Sequence, residues 1–313
     1  MHGVSFTIRG RRFVVGVMLS CALVSGCAFG PKTVGPATEI PLQDATIERL
    51  VGLLQQREAE VQTLKGLFRA QIQGPGIPGT QQVEGAVVYH RPDALRLRGF
   101  NRLGLRLFEL VVGEERYTLR LVTGKVLTGT ITDLNRTEKT ARPFRLSLMA
   151  MTGIIGTPAI AKEERVVLHD EGDRYRLEVF APVSGLRGSE QPYRRIWFDR
   201  RSLQVVQEDR LTLTGDIEST VRFEDFRPVN LFPDGGSVVR TDLSSDGSTL
   251  KPFVIHAEDP EGQSTLQLSF REISPNLPLK PEELQITIGP YRRNGMGRSC
   301  WRWKRRRDVR ASP

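Results

Sequence analysis

The sequence predicts a mainly β protein: an antiparallel meander curled into a barrel or half-barrel, with helices laid on one face. Three observations predict it. Short segments of period-two alternation recur along the chain. Turn-forming residues separate them at close spacing. The apolar side of the alternation is consistent enough to make one wall greasy and the other wet.

The chain has 313 residues and a formal charge of +9. The charge sits at the ends. The first 26 residues carry +3, and the stretch after Pro290 carries nine Arg or Lys against Asp308. That leaves −2 on residues 27–290. A pI near 9.8 would fit a nucleic-acid binder, but a nearly neutral body does not.

Residues 1–26 read as a secretory leader. A basic segment ends at Arg12, and an apolar run from Phe13 to Leu23 follows, too short to span a bilayer. Val24-Ser-Gly-Cys27 resembles the lipobox of bacterial lipoproteins, which makes Cys27 the acylated residue. The other readings are an ordinary signal peptide with an incidental Cys27 and, from Arg11-Arg12, twin-arginine export. Cys21 lies in the leader and Cys300 in the tail, so no disulfide framework is available. Two or three acyl chains, at about 0.8 kcal/mol per buried CH₂, anchor a protein almost permanently. Ala28 follows the Cys, where the enterobacterial sorting rule has Asp for inner-membrane retention. The expected place is the periplasmic face of the outer membrane.

Residues 27–41 hold Gly, Pro and Thr without periodicity and read as a tether. Asp44 suits an N-cap. Ile47, Leu50, Leu54, Val61, Leu64, Phe68 and Ile72 then recur at three- and four-residue steps, with Arg57 in the one gap. This predicts a single amphipathic helix over 44–73, laid on a sheet or paired in a coiled coil. Gly74-Pro-Gly-Ile-Pro-Gly79 spells G-x-G-x-x-G but follows a helical pattern and carries two prolines, so it is read as a loop.

Strands are expected at about 83–91, 94–101, 105–113, 115–122 and 125–132. The turn between the second and third is Asn101-Arg-Leu-Gly104. An aliphatic residue at a hairpin tip is unusual. Leu103 is either covered by another part of the chain or aimed at something apolar outside it. Residues 143–155 read as a short helix, apolar on most of its surface and ended by Gly153 or Gly156. Further strands are expected at about 164–170, 173–182, 192–199, 203–214, 217–227, 236–243, 251–257 and 264–273, with hairpin turns at 170–173, 199–202 and 215–216. Leu97, Leu119, Leu121, Leu177, Leu213, Phe223 and Leu268 fall on the greasy wall, with Leu148 and Met151 on the helix that covers it. Periodicity does not say whether that wall closes a solid core or lines a groove.

Catalytic signatures are missing from the sequence. His2, His90, His169 and His256 lie far apart, and no nucleophile elbow, Walker motif or C-x-x-C occurs. No enzyme, metal or cofactor is expected. The Arg- and Trp-rich tail, 291–313, reads either as a disordered end or as a binder of anionic headgroups.

The order of elements resembles the LolA/LolB superfamily of bacterial lipoprotein carriers and receptors: lipoprotein signal, first helix, run of strands, helical break, more strands. The resemblance implies an unclosed antiparallel β-barrel, here of about 11 strands, covered by a long N-terminal helix and a central helical lid over a cavity for acyl chains. The receptor carries Asn-Pro-Leu-Gly between two strands, and its Leu helps pass lipoproteins to the membrane. Asn101-Arg-Leu-Gly104 matches that motif with Arg102 in place of Pro, and Leu103 is the matching position. Over a domain at 42–290, the resemblance implies an outer-membrane-anchored binder of acylated lipoproteins or lipids, palmitate-like in chain, met by a periplasmic carrier protein. The alternative is a non-transport lipoprotein of the same fold that scaffolds an envelope complex.

Overall fold

The computed structural model describes residues 40–131 (except 76), 142–182, 191–231 and 248–284 (except 261–262). The chain divides into two units, Met1–Pro41 and Leu42–Pro313, and the elements described all lie in the second. Cys27, the expected strand at 236–243 and the tail 291–313 lie outside the described residues.

Helix α1 spans Ile47–Glu60. Its N-cap is Thr46, whose hydroxyl accepts from the Arg49 backbone NH, and not the expected Asp44. The single helix predicted over 44–73 is corrected. Strand β1 occupies Thr63–Gln73, and its inward positions are Leu64, Gly66, Phe68, Ala70 and Ile72. The misreading has a simple cause. Leu64, Phe68 and Ile72 are four apart, and four residues lie near a helix repeat and are also two strand repeats. The small Gly66 and Ala70 between them hid the alternation.

The remaining strands are β2 (Gln81–His90), β3 (Ala94–Phe100), β4 (Arg106–Gly113), β5 (Arg116–Leu121), β6 (Val126–Thr130), β7 (Arg165–Asp170), β8 (Arg174–Phe180), β9 (Arg194–Asp199), β10 (Val205–Leu211), β11 (Ile217–Asn230), β12 (Ser248–Glu258) and β13 (Thr265–Pro275). All thirteen form one sheet in the order β6-β5-β4-β3-β2-β1-β13-β12-β11-β10-β9-β8-β7. The count thus exceeds the expected 11. The first six strands lead outward from the middle of the sheet. Helix α2 (Arg142–Ile155) follows, and the last seven strands lead back until β13 pairs with β1. Strands β6 and β7 are the edges and do not pair, so the barrel is unclosed. A short turn of helix, α3 (Pro281–Leu284), follows β13.

Every pairing is antiparallel. The turns therefore collect at two ends. One end carries the turns at 91–93, 114–115, 171–173 and 200–204, and α1 lies across it. Gln43 donates its backbone NH to Arg200 O, Arg57 Nη1 donates to Leu203 O, and Arg91 Nη1 donates to Glu58 O. The opposite end, called the distal rim, carries the turns at 74–80, 101–105, 122–125 and 212–216. Helix α2 crosses the concave face, packed mainly on β11, β12, β13 and β1.

The core lies on that concave face. Leu97, Leu110, Leu119, Leu177, Ile196, Phe198, Ile255 and Leu268 project into it from seven strands, and Leu50, Leu54, Leu146, Met151 and Ile154 meet them from the two helices. Curvature needs small residues where large ones cross. A Cβ on Gly99 would lie 2.2 Å from the ring of Phe108, its partner on β4, so only glycine lets that ring fold over the neighbouring strand.

Candidate functional site

The distal rim is assembled from two hairpin tips and the start of α2. At the β3–β4 tip, Asn101 Oδ1 accepts the backbone NH groups of Leu103 (3.0 Å) and Leu105 (2.9 Å). Asn101 also exchanges backbone bonds with Leu105 and Gly104. Gly104 has a φ of +78°, which favours glycine. Arg102 reaches sideways and donates to Gln82 Oε1 on β2. The turn is thus fastened on both flanks without any contribution from the side chain of Leu103, which is 85% exposed. The reading of Leu103 as a residue packed under another loop is excluded. Leu105 beside it is exposed too, as are Val122 and Val126 at the neighbouring β5–β6 turn. That turn is tied to β4 by the Val122 NH bond to Leu107 O, 2.7 Å.

The second tip joins β10 to β11. Leu213 is corrected here. It was expected on the greasy wall, but β10 ends at Leu211 and Leu213 sits in the turn, 90% exposed. Period-two alternation does not announce where a strand stops, and the register shift at Arg210/Leu211 breaks it one residue early. Thr212 and Thr214 hydroxyls bond each other and Asp216, so the turn is made by polar side chains and Leu213 is left outward. Ile217 at the start of β11 is exposed as well.

Helix α2 joins the two tips. Phe144 packs edge-on against Phe108 of β4, with centroids 5.0 Å apart, and Arg145 Nη1 lies 2.7 Å from Glu218 Oε1 of β11. The Ser219 hydroxyl contacts the Met149 sulfur at 3.3 Å. One turn of α2 thus touches the strand leaving the first tip and the strand leaving the second. Leu103, Leu105, Leu213 and Ile217 stand on the same rim, around the start of an apolar helix.

Behind that rim, Leu97, Leu119, Leu177, Phe223, Leu268 and Met151 are buried on the concave face, and Leu121 and Leu148 are half-buried against them. Six of them stand on the sheet, and Leu148 and Met151 on α2. They are packed, with α2 seated among them. A Cβ on Gly153 would lie 2.5 Å from the Phe223 ring, so helix and sheet approach as closely as a glycine allows.

Leu110, Ile196, Phe198 and Ile255 on this wall were missed, and so was a charged residue. Strand β12 points Lys251, Phe253, Ile255 and Ala257 to the concave side, and Lys251 is 3% exposed. The alternation itself placed a lysine on the greasy face, and that was the signal to follow. It lines a small pocket of about 30 Å³. Arg57 and Leu54 of α1, Gly153 and Gly156 at the end of α2, and Phe223 and Phe226 of β11 share the lining. Burial pushes the Lys251 ammonium down to about 8, with Glu60 pulling it back and Arg57 adding to the push. Burial also lowers Arg57 from its ordinary value, opposed by Glu60.

Several other charged side chains on the sheet have structural partners. Glu109 is buried among Arg96, Arg106 and Arg120, and Arg96 also donates to Glu282 O and Glu283 O of α3. Arg194 and Glu208 form a buried pair at 2.9 Å. His169 and His256 each face one carboxylate, Glu178 at 3.3 Å and Glu224 at 3.7 Å.

No family model matches the chain, and no curated protein matches it in sequence. Solved structures match in winding. A DUF1329 family protein from Desulfovibrio piger is 11% identical with a TM-score of 0.53, over 75% of this chain and 94% of that one. An outer membrane lipoprotein-sorting protein domain from Vibrio parahaemolyticus is 10% identical with a TM-score of 0.49, over 75% and 95%. A LolA superfamily protein from Nitrosomonas europaea is 10% identical with a TM-score of 0.46, over 75% and 96%. At such identities the likeness is one of fold. The shared feature is an unclosed antiparallel sheet curled around a helix.

Proposed function

With a LolA/LolB-like fold as premise, we propose that this chain is a lipid-anchored protein of the bacterial envelope that holds an acyl chain between its curved sheet and α2 and passes it to a membrane. The ligand is an acylated lipoprotein or a free lipid. Cys27 is the anchor, the periplasmic face of the outer membrane is the place, and a periplasmic carrier is the source. The role is one of binding and transfer, without a catalytic step.

The observation that carries the reading is the distal rim. A palmitoyl-length chain gains on the order of 12 kcal/mol on leaving water, at about 0.8 kcal/mol per CH₂. A carrier cannot release it into water at a useful rate, so the binding space must meet the bilayer directly. Leu103, Leu105, Leu213 and Ile217 are exposed at the two tips, whose outgoing strands β4 and β11 touch the start of α2. Each leucine entering a membrane contributes roughly 1.5–3 kcal/mol. That is modest alone, but a tethered domain is already at high local concentration. The Leu103→Asp/Leu213→Asp pair tests it. Delivery of a fluorescent palmitoyl probe to vesicles should slow, with probe affinity and melting temperature unchanged. Unchanged delivery would remove the rim from the mechanism.

A second reading is favoured by the close packing of Gly153 on Phe223. In it the core stays filled and the protein scaffolds an envelope complex. Saturable binding of a fatty-acid probe by the delipidated protein separates the two, since a permanently filled core has no room for it.

A further inference from the structure

We infer that Lys251 and Arg57 form the receiving site for a carboxylate, which makes a free fatty acid the chemical class of ligand. The inference rests on the acyl-binding reading and names its ligand.

The site is placed by a parting of strands. Strand β10 pairs with β11 only from Gln207 to Leu211, opposite Ile217–Arg222. Below that, β11 runs on to Asn230 with β12 as its partner. The pocket lies in the resulting seam, between Gln204 and Val205 on one side and Phe223, Phe226 and Leu250 on the other. Leu250 is exposed, so the pocket reaches the surface. Its inner wall of Leu54, Phe223 and Gly153 is continuous with the core under α2. A headgroup held in the seam would therefore point its chain into the space between sheet and helix.

The charges ask for an anion. Lys251 is nine-tenths buried or more, yet it has no hydrogen-bond acceptor and no carboxylate within 4.0 Å among the described residues. Among the described residues the Arg57 guanidinium makes one hydrogen bond, from Nη1 to Leu203 O at 2.8 Å. The charged group that faces both is Glu60, which accepts from Gln56 with one oxygen and leaves Oε2 buried without a partner. Two cations and one carboxylate leave a single net positive charge inside the wall. A monoanion neutralises it, while a neutral lipid leaves the desolvated ammonium uncompensated.

The test compares palmitate with hexadecanol, which has the same chain and no charge, on the full chain stripped of bound lipid. Lys251→Met keeps the bulk and removes the charge. A hydrogen bond to a charged group is worth about tenfold or more in affinity, so palmitate should bind at least about tenfold more weakly to the variant. Hexadecanol should change less than about twofold. Equal effects on the two ligands, or none on palmitate, would overturn the carboxylate site and leave acyl binding standing. Competition by butyrate at the concentration where palmitate competes would overturn the fatty-acid assignment in favour of a soluble carboxylate. If neither long-chain ligand binds the unaltered protein, the acyl-binding reading fails and takes this inference with it.

Discussion

Replacing Lys251 by Met should stabilise the protein, by an amount that depends on pH. The ammonium sits on the apolar wall with its pKa at about 8, against an ordinary value of 10.5. A folded value below the unfolded one means that the unfolded chain binds more protons between about pH 8 and 10.5. Stability then rises with pH through that window, and the penalty is fully present below it. At 1.36 kcal/mol per unit, the cost is about 3 kcal/mol at pH 7 and falls to about 1 kcal/mol at pH 9.5. Methionine fits the same space beside Leu54 and Phe223 and carries no charge to desolvate. Urea unfolding of both proteins at pH 7, 8 and 9.5 should show the variant ahead at pH 7 by about 3 kcal/mol, with the gap narrowing upward. Taking the difference cancels groups common to both, including Tyr193, whose hydroxyl burial and Glu164 push up to about 12. A variant less stable than the parent at pH 7, or a gap independent of pH, would refute the account of Lys251 as an uncompensated buried cation.

Four further outcomes follow from the structure. Asn101→Ala removes the acceptor of two backbone NH groups at the β3–β4 tip and should cost about 1–2 kcal/mol in stability; a hydrogen-exchange experiment should show Leu103 and Leu105 amides exchanging faster. Cysteines at positions 149 and 219, whose side chains touch, should hold α2 on the sheet when oxidised and block uptake of an acyl probe until reduced. Gly153→Val forces a side chain into the Phe223 ring and should either destabilise the domain by about 1–3 kcal/mol or dislodge α2, which an increase in binding of a hydrophobic dye would report. Cys27→Ser should leave the protein in the soluble fraction or uncleaved, and membrane association undiminished in that variant would end the lipoprotein reading.

The sequence by itself determined the fold class and most of the wall. Alternation is a local property, and it placed Leu97, Leu119, Leu177, Phe223 and Leu268 on one face because each is read against its own neighbours two residues away. It also marked Leu103, since Asn101 and Gly104 identify a turn from four residues alone. Local pattern failed where two periods coincide or where an element ends. Leu64, Phe68 and Ile72 satisfy a helix and a strand equally. The decision went to β1 because its backbone groups are satisfied by both β2 and β13, and β13 lies 200 residues away in the chain. Leu213 left the wall because a register shift stopped β10 short, which is a matter of pairing with β11. The seam that exposes Lys251 to a pocket has the same origin. It exists because β10 and β11 part while β12 continues alongside β11. Which side chains stand on one wall is written in each strand, whereas the opening in the wall depends on contacts between strands that only the folded chain brings together.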